Sequence, residues 1–223
     1  MALLIIVIEP TTFSDNSNAI PVVFAMSCAI ILIGLNLSIN MVCKNYAMIR
    51  REMRMGVGAA SLVCAKVLNI ISMCAILSLI FVLPFVLGSF HRIANVHGAY
   101  LYFAVFSTMF TSASLGLLIS AVARENLQRA PFAIPFIMMY QLLFSGFVFE
   151  QVRDVLGIFT ISRYSIRTIG TALRLSPRYG DFVQEPITVH VISNLAILVL
   201  FAALALFACW LRLWHIDYRG NGK

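Results

Sequence analysis

The one dense cluster of charged side chains in this chain is K-N-Y-A-M-I-R-R-E-M-R-M-G, residues 44–56, in which Arg50, Arg51, Glu52 and Arg54 stand almost side by side and Gly56 closes the run. Guanidinium groups keep their protons and grip carboxylates or phosphates through a planar fork, so the cluster suits ionic docking and not bond-making. Groupings for bond chemistry are missing. His91, His97, His190 and His215 are scattered, with no H-E-x-x-H pattern and no carboxylate cluster to complete a metal site. G-x-S-x-G is absent, and so is the Walker A pattern G-x-x-x-x-G-K-[ST], which means the chain cannot hydrolyse ATP by the P-loop mechanism on its own. Cys28, Cys43, Cys64, Cys74 and Cys209 show no C-x-x-C spacing and read as small buried hydrophobes. The sequence predicts no catalytic residue, no metal and no cofactor held by the chain itself.

The elements around the cluster are apolar. With 61% hydrophobic and 11% charged residues, the composition lies outside the soluble range. About 20 helical residues cross ~30 Å of hydrocarbon, and a segment in lipid must close its own backbone hydrogen bonds. Five full helical spans are therefore expected, at about 19–43, 57–89, 99–123, 131–149 and 189–214, in a single all-α transmembrane bundle over residues 1–223. Met1 to Ile8 is too short to cross and reads as the tail end of a further, partial first span. Lys and Arg collect in short cytoplasmic loops, so 44–56 is expected inside, together with Arg124, Arg129 and the tail bearing Arg212, Arg219 and Lys223. A multi-pass protein of the cell membrane follows. Its net charge of +7 is spread over separate loops, which favours lipid headgroups and a cytosolic protein surface over nucleic acid.

The 150–188 segment then lies outside, although it carries Arg153, Arg163, Arg167, Arg174 and Arg178. V-L-G-I-F and S-I-R-T-I-G-T-A-L within it are expected to form short amphipathic helices resting on the outer leaflet before the last span, their arginines reaching headgroups. Inside the third span, Ala104, Thr108, Ser112, Gly116 and Ser120 recur every four residues and so share one helix face. Small residues at that spacing let helix backbones approach closely in lipid. Asn36 and Asn40 form another pair four apart, suited to interhelical hydrogen bonds or to a polar path. Pro131 and Pro135 fit the first turns of the fourth span, and Pro84 is expected to bend or end the second.

Three patches carry a family likeness: R-R-E-M-R-M-G at 50–56 with S-L-V-C-A-K ending at Lys66; S-L-G-L-L-I-S-A-V-A-R-E-N at 114–126; and F-S-G at 144–146 with I-S-R-Y at 161–164. In this order and on these sides they resemble the membrane domain of type 2 ABC exporters, especially the G (white/Pdr) subfamily and its bacterial relatives. The first resembles that family's coupling helix with its R-E-x-x-x-G pattern. Asn45 stands where members commonly place an acidic residue, and the outer loop lacks the cysteines of many eukaryotic members, which points to a bacterial source.

The resemblance implies the permease half of an ATP-driven exporter of amphipathic or lipid-like cargo. Its partners would be an ABC ATPase domain or subunit, which binds the ATP, and a second membrane domain, most simply a homodimer. Arg50, Arg51, Glu52, Arg54 and Gly56 would couple to the ATPase; Ile33, Asn36, Met138 and Leu142 would line a pathway between the first full span and the fourth. Phe147 and Val148 would match the apolar plug, with 150–188 as a re-entrant outer loop. Family members have six spans, so the first would be truncated here. The alternative is a membrane scaffold or immunity protein that binds a partner without transport.

Overall fold

The computed structural model describes residues 16–39, 41–87, 97–123, 129–144, 160–172 and 187–221. Among these residues every regular element is a helix: α1 (Asn16–Ser38), α2 (Tyr46–Arg54), α3 (Ala59–Leu87), α4 (His97–Ala123), α5 (Arg129–Leu143), α6 (Ile161–Ala172) and α7 (Ile187–Asn221). Three hold stretches long and apolar enough to cross a membrane, namely Ala59–Leu83, Gly98–Ala123 and Ile192–Trp214. Val23–Ser38 and Ala130–Leu143 are shorter apolar stretches. Where five full spans are expected from the sequence, the described residues thus supply three full-length apolar stretches and two shorter ones.

The differences have local causes. α1 stops at Ser38 rather than near residue 43, and the chain then turns through Met41 N–H to Ser38 O (3.0 Å) and Asn45 N–H to Val42 O (3.2 Å). Exposed Lys44 and Asn45 end the apolar run there. α5 is described to Leu143, with Phe144 N–H still on Tyr140 O at 3.1 Å, and residues 145–149 lie outside the described set. α3 runs past Pro84 to Leu87, so that proline does not end the helix. α7 has 35 residues, about 50 Å at 1.5 Å each, and so outreaches the hydrocarbon. Its Trp210 and Trp214 rings stack at 6.3 Å, at the end of the apolar stretch where aromatic residues gather in membrane proteins.

α4 is the hub. It packs against α1, α3, α5, α6 and α7, and 67% of its apolar window is buried, against 28% in α3 and in α7. The outer faces of α3 (Leu68, Ile76, Leu79) and α7 (Val199, Leu204, Phe207) are left for lipid. Hydroxyls inside α4 bond back to their own helix, as Ser107 and Thr108 do to Ala104 O and Ser114 does to Phe110 O. Burying these groups therefore leaves no donor stranded.

The segment expected on the outer leaflet is different in kind. α6 is packed among α1, α4 and α7, and Ile161, Ser162, Tyr164, Ser165, Ile166, Thr168, Ile169 and Ala172 are all buried. Its serines and threonines explain this: they meet polar partners inside the bundle instead of needing water. Ser162 N–H donates to Gln141 Oε1 (3.1 Å), Ser162 Oγ to Gln141 O (2.8 Å), and the hydroxyls of Thr108 and Ser165 meet at 3.2 Å. V-L-G-I-F lies outside the described residues.

Candidate functional site

α2 buries Tyr46, Ile49 and Met53, at the i, i+3, i+7 spacing of one helix face, in the core shared with Val42, Ala59, Val63 and Leu213. The opposite face is open. Ala47, Met48, Arg50 and Arg51 are exposed, Glu52 is half-buried, and the side chain of Arg54 lies outside the described set. The helix ends on a Schellman motif: Val57 N–H reaches Glu52 O (3.2 Å) and Gly56 N–H reaches Met53 O (3.0 Å), with Gly56 at φ +92°. That left-handed backbone is why glycine stands four residues after Glu52. A sequence reading in terms of charge misses two residues here. Met48 and Met55 are 62% and 68% exposed beside the arginines, so the face is apolar as well as basic. Their signal was helical spacing: Met48 falls opposite the buried Tyr46–Ile49–Met53 stripe.

Two of the small residues on α4 meet α1 at close range. Gly34 lies beside Ser112, and a Cβ on it would fall 2.6 Å from Met109 O. Gly116 lies beside Ser38, and a Cβ there would fall 2.8 Å from Leu35 O. Ser38 Oγ donates to Ala113 O at 2.5 Å. Farther along, Ser120 Oγ accepts the N–H of Val42, 78 residues before it, the same offset that relates Gly34 to Ser112 and Ser38 to Gly116. A constant offset means that α1 and its extension run parallel to α4 in one register. Thr108 departs from this seam and turns to α6 through Ser165.

The residues expected to line a pathway are not gathered into one cluster. Ile33 packs on the main core, whereas Met138 packs with Ile31, Leu35 and Ile161 in a second cluster. Asn36 is exposed and its Nδ2 donates to Leu32 O of its own helix at 2.8 Å. Leu142 is half-buried, and Phe147 and Val148 lie outside the described residues. α5 packs Ala130 and Ile134 against Ile39 and Cys43, just past the end of α1, and leaves Phe132, Phe136 and Met139 exposed.

Apolar helices that close their own hydrogen bonds, three of them with stretches long enough to cross a membrane, define an integral membrane protein built as a helix bundle. The profile of the ABC-2 type transporter family matches residues 1–153, a stretch that takes in α1 to α5. The chain belongs to that family, and it is a transmembrane permease component of an ABC transporter. No curated protein matches it.

Proposed function

We propose that the chain is the permease half of an ATP-driven exporter, working as a dimer of membrane domains coupled to two cytoplasmic ATPase domains. ATP is bound by those domains and not by this chain. The observation that carries the reading is α2, a helix anchored on one face by Tyr46, Ile49 and Met53 that presents Met48, Arg50 and Arg51 on the other. A rigid helix with an open basic and thioether face suits a groove with an apolar floor and an acidic rim, and a closing ATPase dimer pressing on it would push the bundle. The second membrane domain, most simply another copy, would sit on the side where α5 exposes Phe132, Phe136 and Met139 and α1 exposes Leu32 and Asn36. Ile33, Met138, Leu142, Phe147 and Val148 would border the path of an amphipathic or lipid-like cargo. The G subfamily and a bacterial source remain part of this proposal through the R-E-x-x-x-G and I-S-R-Y likeness.

Sidedness is the first test. In a background freed of native cysteines, Met48→Cys should resist a membrane-impermeant thiol reagent in intact cells and label after permeabilisation, while Gln184→Cys should label from outside. Met48 is the better probe than buried Tyr46. Labelling of Met48→Cys in intact cells would invert the topology and end the exporter reading.

Coupling is the second. Arg51→Glu and Glu52→Lys should insert normally, because neither side chain is part of the core, yet lower transport-stimulated ATP hydrolysis about tenfold, the order of effect of reversing a charge at a docking surface. Unchanged stimulation in both variants would remove α2 as the docking element. A chain that does its cellular task with no ATPase partner would belong to the scaffold or immunity class instead.

A further inference from the structure

Among the described residues, the hydrogen bonds that tie the segment between α1 and α2 to α4 meet at one residue, Ser120. Val42 and Cys43 follow the end of α1, so their amides have no place in its hydrogen-bond ladder, yet both residues are only 2% exposed. Both amides donate to the Oγ of Ser120, each at 3.0 Å, and Ser120 is itself fully buried. Two lone pairs on one hydroxyl oxygen thus satisfy two buried donors. In return, Cys43 Sγ donates to Ser120 O at 3.0 Å. That carbonyl is in the last turn of α4, among those a helix leaves without an internal partner. The end of one helix and the linker of another cap each other.

The bonds continue directly into α2. Asn45 N–H donates to Val42 O (3.2 Å) and Tyr46 N–H to Cys43 O (3.4 Å), so the first turn of α2 hangs on the two residues that Ser120 holds. On the other side, α4 reaches α7 through Thr111 Oγ1 to Leu198 O (3.0 Å) and α6 through Thr108 Oγ1 to Ser165 Oγ (3.2 Å). A bonded route runs from the docking helix to the hub and from the hub to the helices around it.

We infer that Ser120 is a positioning residue, the joint that makes α2, the 42–43 linker and the last turn of α4 move as one body. Without it the linker keeps its own turn bonds and the non-directional packing of Val42 and Cys43, and displacement of α2 would be absorbed there. The part of this inference that concerns transport rests on the exporter reading above; the joint itself does not.

The test separates the two. Hydrogen exchange is followed at the amides of 41–45 in the full chain in nanodiscs, for the wild type, Ser120→Ala and Ser114→Ala. Ser114 is the matched control, a buried serine on the same helix whose hydroxyl, among the described residues, bonds within that helix to Phe110 O. In the wild type, Val42 and Cys43 should exchange more slowly than exposed Lys44. Ser120→Ala should speed both by about tenfold or more, the effect of losing a hydrogen bond to a buried donor, and Ser114→Ala should leave them unchanged. Fast exchange at both amides in the wild type overturns the joint without any variant having to fold, and so does unchanged exchange in Ser120→Ala. The second readout is the ratio of transport-stimulated to basal ATP hydrolysis with the partner ATPase, expected to fall severalfold in Ser120→Ala and to hold in Ser114→Ala. A ratio equal to wild type despite loosened amides overturns the transmission role. Absence of stimulation in the wild type overturns the exporter reading, and the exchange data then still decide the joint.

Discussion

Replacing Gly116 by valine is expected to abolish recovery of folded protein, and replacing it by alanine to cost about 1–3 kcal/mol, the range for forcing extra atoms into a packed interior. A Cβ at this position lands against Ser38 Oγ and 2.8 Å from Leu35 O. The hydroxyl can rotate away only by giving up its bond to Ala113 O, and the carbonyl belongs to the backbone of α1 and moves only if α1 moves. Because Ser112 beside Gly34 and Ser120 against Val42 share the same register, lifting α1 at Gly116 opens the seam in both directions. Gly170 is the control. A Cβ there meets nothing within 4 Å, and it lies inside α6, where alanine is favoured over glycine by roughly 0.5–1 kcal/mol. Thermal unfolding in detergent, followed by size-exclusion recovery, should rank the variants Gly170→Ala at or above wild type, then Gly116→Ala, with Gly116→Val lowest. Equal midpoints for Gly116→Ala and Gly170→Ala would mean that the α1–α4 contact does not hold the bundle together.

The four-residue repeat that ends on Ser120 was legible because helical periodicity projects it onto one face whatever the neighbour is. Its partner was not, since nothing in the sequence fixes the register that sets Gly34 and Ser38 opposite Ser112 and Gly116. Thr108 was assigned to the same face yet serves a different helix, because α4 is surrounded and each side of it has its own neighbour. The basic run at 50–54 was equally plain, whereas Met48 and Met55 became visible only once burial of Tyr46, Ile49 and Met53 showed which side of α2 is open. The burial of α6 was not legible for a physical reason: its polar residues and arginines read as a leaflet surface helix, but the hydroxyls of a short helix are also satisfied by other helices. Only the spatial neighbours Gln141 and Ser165's partner Thr108 reveal which of the two applies.

Gln141→Leu is expected to loosen α6 by an amount readable as a tenfold or greater rise in hydrogen exchange across residues 161–172. Gln141 is 3% exposed on α5, and its Oε1 accepts Ser162 N–H at the start of α6, one of the amides that a helix cannot satisfy internally. Leucine keeps the apolar contacts of the side chain and removes the acceptor, which leaves that donor buried without a partner at a cost of about 1–3 kcal/mol. The bonds from Ser162 Oγ to Gln141 O and from Thr160 Oγ1 to Phe144 O end on backbone carbonyls and survive the substitution, so α6 should loosen rather than leave the bundle. Ser162→Ala makes the complementary loss, removing the Oγ bond and keeping the amide bond, and the two substitutions together should exceed either alone. The effect should stay local: exchange in α4 around Thr111, held to α7 through Leu198 O, should match the wild type. A polar lining residue would behave differently, because loss of its amide would change cargo handling while leaving exchange in α6 untouched. Unchanged protection of 161–172 in Gln141→Leu would therefore remove Gln141 as the fastener of α6.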